Sequence, residues 1–299
     1  MYLFNIKGII IFKVDLNHKN NYLYIIIFIL FSINTSYAQT SVVYPRQIHT
    51  DNETTTYPVK LLKLILQYSN ENYTLKKSSL KLLQGRALQE LEQNQIVDVV
   101  WSMTSIQREK NLIPIRIPIY KGLIGARLLL VNNKDASKFN KVTAKKDLLK
   151  FYAGQGHDWP DTNILKFNNV PAITGANYEG LFRMLRLDRF NYFPRSIIEI
   201  WDEAKVHQNE DIIIDPRLLI HYPTATYFFV NKNNQKLASD LKNGFSKIIK
   251  NGKFDKLFYQ YHGDFIKKAN LENRVIIKLD NPILPLKTPL DKKKLWFQF

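Results

Sequence analysis

A glycine-rich turn with the sequence Gly-Gln-Gly-His occupies residues 154–157, directly before a predicted helix. The first N–H groups of a helix lack acceptors within it and carry the positive end of the helix dipole, so they attract anions. Gly156 and His157 could therefore cradle an anionic group of a ligand. A plain turn between a strand and a helix shows the same pattern, and both interpretations stay open.

A tryptophan between acids follows this turn. Asp158 and Trp159 could pair with, or stack on, a cationic group, and Trp101 is a second candidate for a cleft wall. Core packing is the alternative for both rings, because tryptophan is a large apolar side chain. For Asp161 we expect a capping role, since it stands beside the start of the helix.

An arginine follows a group of hydroxyl residues after an earlier predicted strand. Ser102, Thr104 and Ser105 offer hydroxyls and backbone N–H groups, and Arg108 comes three residues later. A guanidinium group presents a planar fork of donors that matches a carboxylate, which a lysine ammonium cannot reproduce. The alternative is an ordinary surface arginine paired with Glu109.

Residue types that serve catalysis are present without the spacing that catalysis needs. His157 and Asp158 could form an acid–base pair, but neighbours in sequence commonly point apart. The chain has no G-x-S-x-G or H-E-x-x-H motif. It also has no cysteine, which excludes disulfides, thiol nucleophiles and thiolate metal sites. We therefore expect no catalytic residues, no metal site and no cofactor.

Strands and helices that alternate along the chain must position these groups. The predicted strands lie at residues 73–76, 96–101, 126–131, 151–153, 171–174, 212–214 and 226–230, and the predicted helices at 57–67, 86–92, 161–167, 178–186, 196–207 and 235–250. Residues 112–120 contain two prolines and are expected to be extended. This alternation predicts an α/β fold with largely parallel sheets.

The charge balance is strongly basic but dispersed. The 299 residues include 43 Lys+Arg and 26 Asp+Glu, a net charge of +17. The lysines are scattered, only residues 292–294 form a short block, and aromatic residues do not interleave with them. We interpret the charge as a solvated surface and expect no nucleic-acid partner. A hydrophobic fraction of 45% is enough for a sizeable core.

The N-terminal region has the pattern of a secretory signal. Residues 22–31 form an uncharged apolar run, preceded by lysines and followed by Ser36-Tyr37-Ala38. A helix needs about 20 apolar residues to span a bilayer, so this run predicts a cleavable signal peptide at residues 1–38, with an uncleaved anchor as the alternative. Without cysteine there is no lipid attachment, and we expect a mature periplasmic protein that is not membrane-embedded.

Four stretches resemble the family 3 solute-binding proteins, which have the type II periplasmic-binding fold and serve amino-acid uptake transporters. They read QGRALQELEQNQIVDVVW, TSIQREKNLIPIRIPIY, FYAGQGHDW and KNGKFDKLFYQYHG, with Asp98, Arg108 and Tyr120 at positions of the family motifs. The resemblance covers residues 41–263. It implies an α/β, two-lobed architecture in which two mixed sheets, flanked by helices, are joined by a two-strand hinge.

The same resemblance implies how the chain is divided. Lobe 1 would comprise residues 39–122 plus 225–265, lobe 2 residues 123–224, and residues 266–299 a C-terminal tail packed on the body. The chain would cross between lobes near residues 120–126 and 221–226. Gly122 and Gly125 lie in the first crossing and are candidate hinge residues.

The resemblance also implies a ligand site in the cleft between the lobes, with Arg108 binding a carboxylate. The candidate ligand-binding residues are Trp101, Ser102, Thr104, Ser105, Arg108, Tyr120, Gly156, His157, Asp158 and Trp159. Amino-acid binders of this family usually carry a second-lobe aspartate for the α-ammonium, whereas residues 190–196 here contain Arg195 and no acid. With Arg116 and Arg127 also available, a ligand more acidic than an amino acid is the expectation. Asp215 could replace the missing acid, but we expect it to start a turn before a proline.

The resulting hypothesis is a monomeric periplasmic solute-binding protein without enzymatic activity. It would capture a small anionic or zwitterionic, amino-acid-like solute in the interlobe cleft and hand it to an ABC transporter permease. One alternative is a periplasmic ligand-sensing module that acts with a separate membrane signalling partner. Another is a dehydratase-type enzyme built on the same fold.

Overall fold

The computed structural model describes the backbone of residues 2–6, 9–15, 22–27, 40–47 and 53–298, and the side chains of residues 40–46 and 57–298. Met1–Ala38 and Gln39–Phe299 are separate compact units. The first contains the antiparallel strands β1 (Tyr2–Ile6), β2 (Ile9–Asp15) and β3 (Tyr22–Ile27), with β2 in the middle. The predicted cleavage site after Ala38 lies outside the described residues, and the signal peptide stays a prediction.

The second unit alternates strands and helices, as expected. Its strands are β4 (Thr40–Gln47), β5 (Tyr73–Leu82), β6 (Val99–Met103), β7 (Leu112–Ile115), β8 (Ala126–Asn132), β9 (Ala153–Gly156), β10 (Ala172–Gly175), β11 (Tyr192–Ser196), β12 (Ile212–Ile214), β13 (Leu218–His221), β14 (Thr226–Asn231) and β15 (Val275–Lys278). Its helices are α1 (Glu53–Gln67), α2 (Gln84–Glu92), α3 (Ile106–Asn111), α4 (Lys145–Leu148), α5 (Pro160–Phe167), α6 (Tyr178–Arg186), α7 (Ile200–Val206), α8 (Gln235–Lys250) and α9 (Lys253–Ala269). Short 3-10 turns lie at Leu123–Gly125, Asn133–Lys141, Gln208–Glu210, Leu271–Asn273 and Lys293–Leu295.

The first lobe is built around β14, which lies antiparallel between β6 and β7. Strand β4 runs parallel to β5 and is joined to the start of β6 by Asp98. The N–H of Val43 donates to Oδ2 of Asp98 at 2.7 Å, and the N–H of Asp98 donates to the carbonyl of Val43 at 2.8 Å. Helices α1, α8 and α9 pack against one another, and α8 packs on β7 and β14. Asp98 therefore has a structural role, since its carboxylate completes the sheet.

The second lobe is built on a mixed sheet with the strand order β10-β9-β11-β8-β13-β15, and β12 also pairs with β8. The pairs among β9, β10 and β11 and between β13 and β15 are parallel, whereas β8 is antiparallel to β11, β12 and β13. The expectation of largely parallel sheets is therefore wrong for both lobes. The reason is that β8 and β14 each enter their sheet from the opposite lobe, and the chain direction is reversed there.

The first two crossings between the lobes lie between β7 and β8 and between β13 and β14. They run side by side, since the N–H of Tyr222 donates to the carbonyl of Gly125 at 3.2 Å and that of Ile119 to Thr226 at 3.0 Å. Gly122 has φ +83°, and a Cβ on Gly125 would lie 2.1 Å from the Tyr222 carbonyl oxygen. Glycine is therefore required at position 122 by the left-handed backbone conformation, and at position 125 by the close approach of the Tyr222 carbonyl. The two-lobed α/β architecture with its two-strand hinge is confirmed, while the exact lobe boundaries stay a prediction.

After α9 the chain crosses to the second lobe and back again, in the region predicted as a tail. β15 joins the second-lobe sheet beside β13, and residues 279–298, here named the C-terminal segment, then return to the first lobe. Asn168 exchanges hydrogen bonds with Asp280 at the second lobe. The carbonyl of Ile283 accepts the Ile106 N–H at 3.0 Å, and the Phe297 N–H donates to Lys121 at 2.8 Å. The C-terminal segment therefore spans both lobes.

Several elements were absent from the sequence-based prediction. β13 and β15 were not predicted, and α7 begins at Ile200 because residues 192–196 form β11 instead. Pro194 argues against a strand because it lacks an N–H. It is tolerated because the even-numbered N–H groups of β11 point toward β9, which pairs with β11 only at Tyr192. Among the helices described, none is both long and apolar enough to cross a bilayer.

Candidate functional site

A cavity of about 320 Å³ lies between the two lobes and is lined by residues of both. Trp101 and Ser102 on β6 and Thr226 on β14 contribute the first-lobe wall, while Tyr120 and Ile124 lie at the first crossing. The second-lobe wall is the stretch 156–161 and the side chains Arg127, Tyr178, Arg195, Glu199 and Glu203. A volume of this size suits a small molecule.

The structure brings most of the predicted site residues to this cavity. Trp101, Ser102, Tyr120, Gly156, His157, Asp158 and Trp159 all line it. Ser105 and Arg108 do not; they line an adjoining opening that also contains residues 157–160. Thr104 is fully buried and reaches neither space.

Arg108 is held at the first-lobe side of this opening. Its Nη1 donates to Oγ of Ser102 at 2.8 Å and to the carbonyl of Met103 at 2.7 Å, and its Nη2 donates to Gln84 at 3.2 Å. Among the described residues, Nε and the second Nη2 hydrogen have no hydrogen-bond acceptor. Burial lowers the pKa of Arg108 to about 10, opposed by the Asp158 and Asp161 carboxylates. The guanidinium is therefore charged at neutral pH and keeps one free donor edge.

The hydroxyls before Arg108 are used to shape this loop. The Thr104 hydroxyl donates to Glu109 at 2.7 Å, and Oγ of Ser105 accepts the Arg108 N–H and caps α3. Oε2 of Glu109 accepts a hydrogen bond from Nε of Arg116 at 2.9 Å. The alternative interpretation of Arg108 as the partner of Glu109 is therefore wrong.

N–H groups of the glycine-rich turn donate to acceptors within the protein. The N–H of His157 donates to the Gly175 carbonyl at 3.1 Å and that of Trp159 to the Gly156 carbonyl at 3.2 Å. The Gly156 N–H donates to Oε1 of Gln155, and α5 begins at Pro160, which has no N–H. A Cβ on Gly156 would lie 2.5 Å from the Trp159 ring, so close packing explains this glycine. The plain-turn interpretation therefore accounts for these N–H groups.

Asp161 does not cap its helix, contrary to our expectation. It is buried, its Oδ1 lies 2.6 Å from Nη2 of Arg127, and it accepts the hydroxyl of Tyr222. No side-chain cap is formed at the start of α5. Burial lowers the pKa of Arg127, but Asp161, Tyr222 and Glu199 outweigh it and raise the pKa above its ordinary value. A charged pair in the protein interior persists only when each partner is compensated in this way.

Arg195 is paired as completely as Arg127. Its Nε and Nη2 lie 2.8 and 2.7 Å from the two carboxylate oxygens of Glu203. Despite burial, Glu203 and Glu199 hold the pKa of Arg195 well above its ordinary value. Arg116 is paired with Glu109 outside the cavity. All three arginines are therefore already paired within the protein, contrary to the expectation that they are available to an acidic ligand.

Glu199 is the acid that the sequence analysis missed. Its Oε2 lies 3.3 Å from both Arg127 and Arg195, and its side chain is 26% exposed, more than its neighbours. The spacing Arg195, Glu199, Glu203 at four-residue steps was a visible signal, although β11 and α7 divide it. Asp215, the proposed substitute, instead accepts the N–H groups of residues 217 and 218 in a turn, as expected.

The cavity wall carries an excess of negative charge. Asp158, Asp161, Glu199 and Glu203 line it against Arg127 and Arg195. His157 and Asp158 are both exposed at the mouth. Within the described part of the chain, no cluster of three or more potential ligands could hold a metal ion.

No protein-family model matches the sequence, and no curated protein sequence is similar to it. Solved structures nevertheless share its fold. An ancestral arginine-binding protein bound to arginine superposes with a TM-score of 0.57 at 14% identity, covering 75% of this chain and 98% of its own. The periplasmic binding protein STM4351 of Salmonella typhimurium, described with high arginine specificity, gives 0.54 at 12%, covering 74% and 99%.

A signalling protein shares the fold as well. A histidine kinase sensor domain with similarity to periplasmic binding proteins has a TM-score of 0.55 at 11% identity, covering 76% of this chain and 97% of its own. The chain therefore has the fold of the type II periplasmic-binding proteins, and these neighbours bind solutes or sense them.

Proposed function

We propose that this type II binding fold belongs to a non-enzymatic solute-binding protein that captures a small zwitterionic, amino-acid-like molecule. The observation that carries the proposal is the cavity of about 320 Å³ lined from both lobes. A ligand that contacts both walls favours the closed arrangement by the difference between its affinities for the two states.

Arg108, which lines the opening that adjoins the cavity, is the proposed partner of the ligand carboxylate. Its Nη1 is anchored by Ser102 and Met103, which orients the guanidinium, while Nε and Nη2 retain donors. A carboxylate can accept from such a free edge in a fork, and the charged hydrogen bonds are stronger than neutral ones. Asp158, across the opening, contributes to the charge that keeps Arg108 protonated.

Glu199 is the proposed partner of the ligand ammonium. It is the most exposed acid of the buried ion network, and it is shared between two arginines that other carboxylates already neutralise. The wall therefore presents a net negative potential to a bound molecule. A zwitterion fits this arrangement better than a simple anion does.

Isothermal titration calorimetry with a panel of amino acids, dicarboxylates and small peptides tests the proposal. Arg108→Ala should weaken binding of the best ligand by about 100-fold or more, because a charge-assisted contact at a desolvated site is lost. Arg108→Lys should restore little, since an ammonium has no planar fork. Glu199→Gln should weaken ligands with an ammonium group and spare those without one.

Arg116→Ala is the matched control, because Arg116 pairs with Glu109 outside the cavity. It should leave the dissociation constant unchanged. A protein that binds none of the panel, or an Arg108→Ala variant with unchanged affinity, would contradict the proposal.

Residues 1–38 are proposed to direct export to the periplasm, where the mature chain would serve an ABC transporter permease. The apolar run before Ala38 supports this proposal. Mass spectrometry of protein recovered from the periplasm should give an N-terminus at Gln39. An intact leader in that fraction would favour the anchor instead.

Ligand sensing is the second candidate, supported by the histidine kinase sensor domain with the same fold. In that case the loaded protein would act on a separate membrane signalling partner. Uptake of radiolabelled ligand by cells with and without the gene separates the two roles. Loss of uptake supports transport, whereas unchanged uptake with altered gene expression supports sensing.

A further inference from the structure

Arg195 places a guanidinium group of the protein in the second-lobe wall of the cavity. Its side chain is only 6% exposed, yet it contributes to the cavity wall with Glu199 and Glu203. Nε and Nη2 form a fork with the carboxylate of Glu203, and Nη2 also lies 3.3 Å from Glu199. The hydroxyl of Tyr178 donates to the same Glu203 at 2.8 Å, which holds this carboxylate in place.

Aromatic rings surround the same guanidinium. Its Cζ lies 4.9 Å from the ring centroids of both Trp159 and Phe193, and 5.7 Å from that of Tyr178. The Trp159 and Phe193 rings are nearly parallel, with 16° between their planes. A carboxylate fork together with aromatic rings near the guanidinium is a complete set of contacts for such a cation.

Arg127, the other buried arginine of the wall, has no such enclosure. Its donors are divided among Tyr222, Asp161 and Glu199, so no single carboxylate closes a fork on it. The Tyr222 ring centroid is 6.0 Å away. The charge of a buried arginine in this wall can therefore be balanced without a fork and without several aromatic rings. Because Arg195 has both, we regard its surroundings as a distinct subsite.

We propose that Arg195 is a specificity-determining residue that occupies a guanidinium-binding subsite from within the chain. Arg195 thereby excludes ligands that would place a guanidinium group in this subsite. The restriction on ligands rests on the proposed solute-binding function, whereas the existence of the subsite does not. A smaller residue at position 195 opens the subsite to a guanidinium compound from solution.

Chemical rescue of Arg195→Ala in the full chain tests the subsite without knowledge of the natural ligand. The variant should have a lower melting temperature, because Glu203 loses its partner inside the protein. Methylguanidine at about a hundredfold excess over its dissociation constant should then raise the melting temperature by roughly 5–10 °C. Methylammonium, which lacks the fork, and urea, which lacks the charge, should not.

Two further proteins serve as controls. Arg195→Ala with Glu203→Gln replaces the charged pair of acceptor oxygens with a neutral amide that has one acceptor, so it should show no rescue. Arg116→Ala breaks an arginine–glutamate pair in which Arg116 is 34% exposed and its Nε and Nη2 both donate to one oxygen of Glu109. Because this pair forms no fork, methylguanidine should not change the melting temperature of the variant. Equal responses of Arg195→Ala to methylguanidine and methylammonium, or rescue of the double variant, would overturn the proposal.

Calorimetry on the wild type provides a test that does not depend on the folding of any variant. Methylguanidine and agmatine should not bind it, since Arg195 already fills the subsite. Where Arg195→Ala folds, L-arginine should bind it at least about tenfold more tightly than it binds the wild type. Wild-type binding of methylguanidine, or L-arginine binding that Arg195→Ala leaves unchanged, would overturn the inference. Absence of any wild-type ligand with successful rescue would instead contradict only the proposed function.

Discussion

The indole ring of Trp296 covers Gly122, so closely that a Cβ on the glycine would lie 2.6 Å from ring atom Cε3. The ring is fixed by its own N–H, which donates to the Pro289 carbonyl at 2.8 Å. Beside it, Lys121 pairs with Asp255 at 2.7 Å. The C-terminal segment is thus packed on the first lobe crossing.

Trp296→Ala should lower the free energy of unfolding by about 1–2 kcal/mol, because the apolar contacts of a half-buried ring with the hinge are lost. Urea denaturation followed by circular dichroism measures the change. Leu286→Ala is the control, since Leu286 lies on the same segment with its side chain fully exposed, and its stability should equal the wild type. Equal stabilities of all three proteins would show that the ring adds nothing to the hinge.

Gly125→Ala should be among the most destabilising single-methyl changes in the chain. The added Cβ would lie 2.1 Å from the Tyr222 carbonyl oxygen, so the two crossings must separate, at a cost of about 3 kcal/mol. Gly263→Ala, inside α9 with nothing within 4 Å of its Cβ position, should instead stabilise by about 0.5–1 kcal/mol. Chemical denaturation of both variants checks the opposite signs, and a neutral Gly125→Ala would contradict the close approach.

Arg127→Met should cost about 3–5 kcal/mol of stability, because it leaves the buried Asp161 carboxylate without its charge partner. Replacing both residues, as Arg127→Met with Asp161→Leu, should recover most of the loss. Lys134→Met, which breaks the exposed pair with Asp188, should cause no measurable change. A double variant as unstable as the single one would mean that the cost is not that of an uncompensated charge.

His262 should make the protein sensitive to acid. It is buried among rings that include Tyr57 and Tyr120, neither ring nitrogen has a hydrogen-bond partner in the described structure, and burial lowers its pKa to about 3. In the unfolded chain its pKa is about 6.5, so between these values the unfolded state binds more protons. The free energy of unfolding therefore falls as the pH drops from about 6.5 toward 3, by up to about 1.4 kcal/mol per unit.

His262→Phe should remove this contribution. Denaturation curves at several pH values between 4 and 7 should show a shallower dependence than in the wild type. Phe258→Leu, a neighbouring core change without a titrating group, should lower stability by the same amount at every pH. An unchanged slope in His262→Phe would rule out the histidine as its source.

Local patterns predicted the α/β class of this chain, but not the direction of its strands or its division into two lobes. Period and turn residues located α1, β8 and α8, whereas the two-lobed architecture was implied by the resemblance of four stretches to the family 3 solute-binding proteins. Arg108 could be proposed as a ligand-binding residue from the sequence, because its type and its position after a strand match the family motif; its role stays a prediction. Pro194 hid β11, however, since whether a proline is tolerated depends on where the neighbouring strand ends.

The charges of the cavity depended on the folded chain. Sequence shows Arg127, Arg195 and Asp161 as separate residues, and free arginines suggested an acidic ligand. Folding brings Glu203 to Arg195 and Asp161 to Arg127, so the charges that remain available are those of Glu199 and Arg108. Which charges pair is decided by distances between residues on different elements. Coulomb energies change several-fold over a few ångströms and with burial. A local sequence pattern contains neither quantity, so it could not predict the pairs.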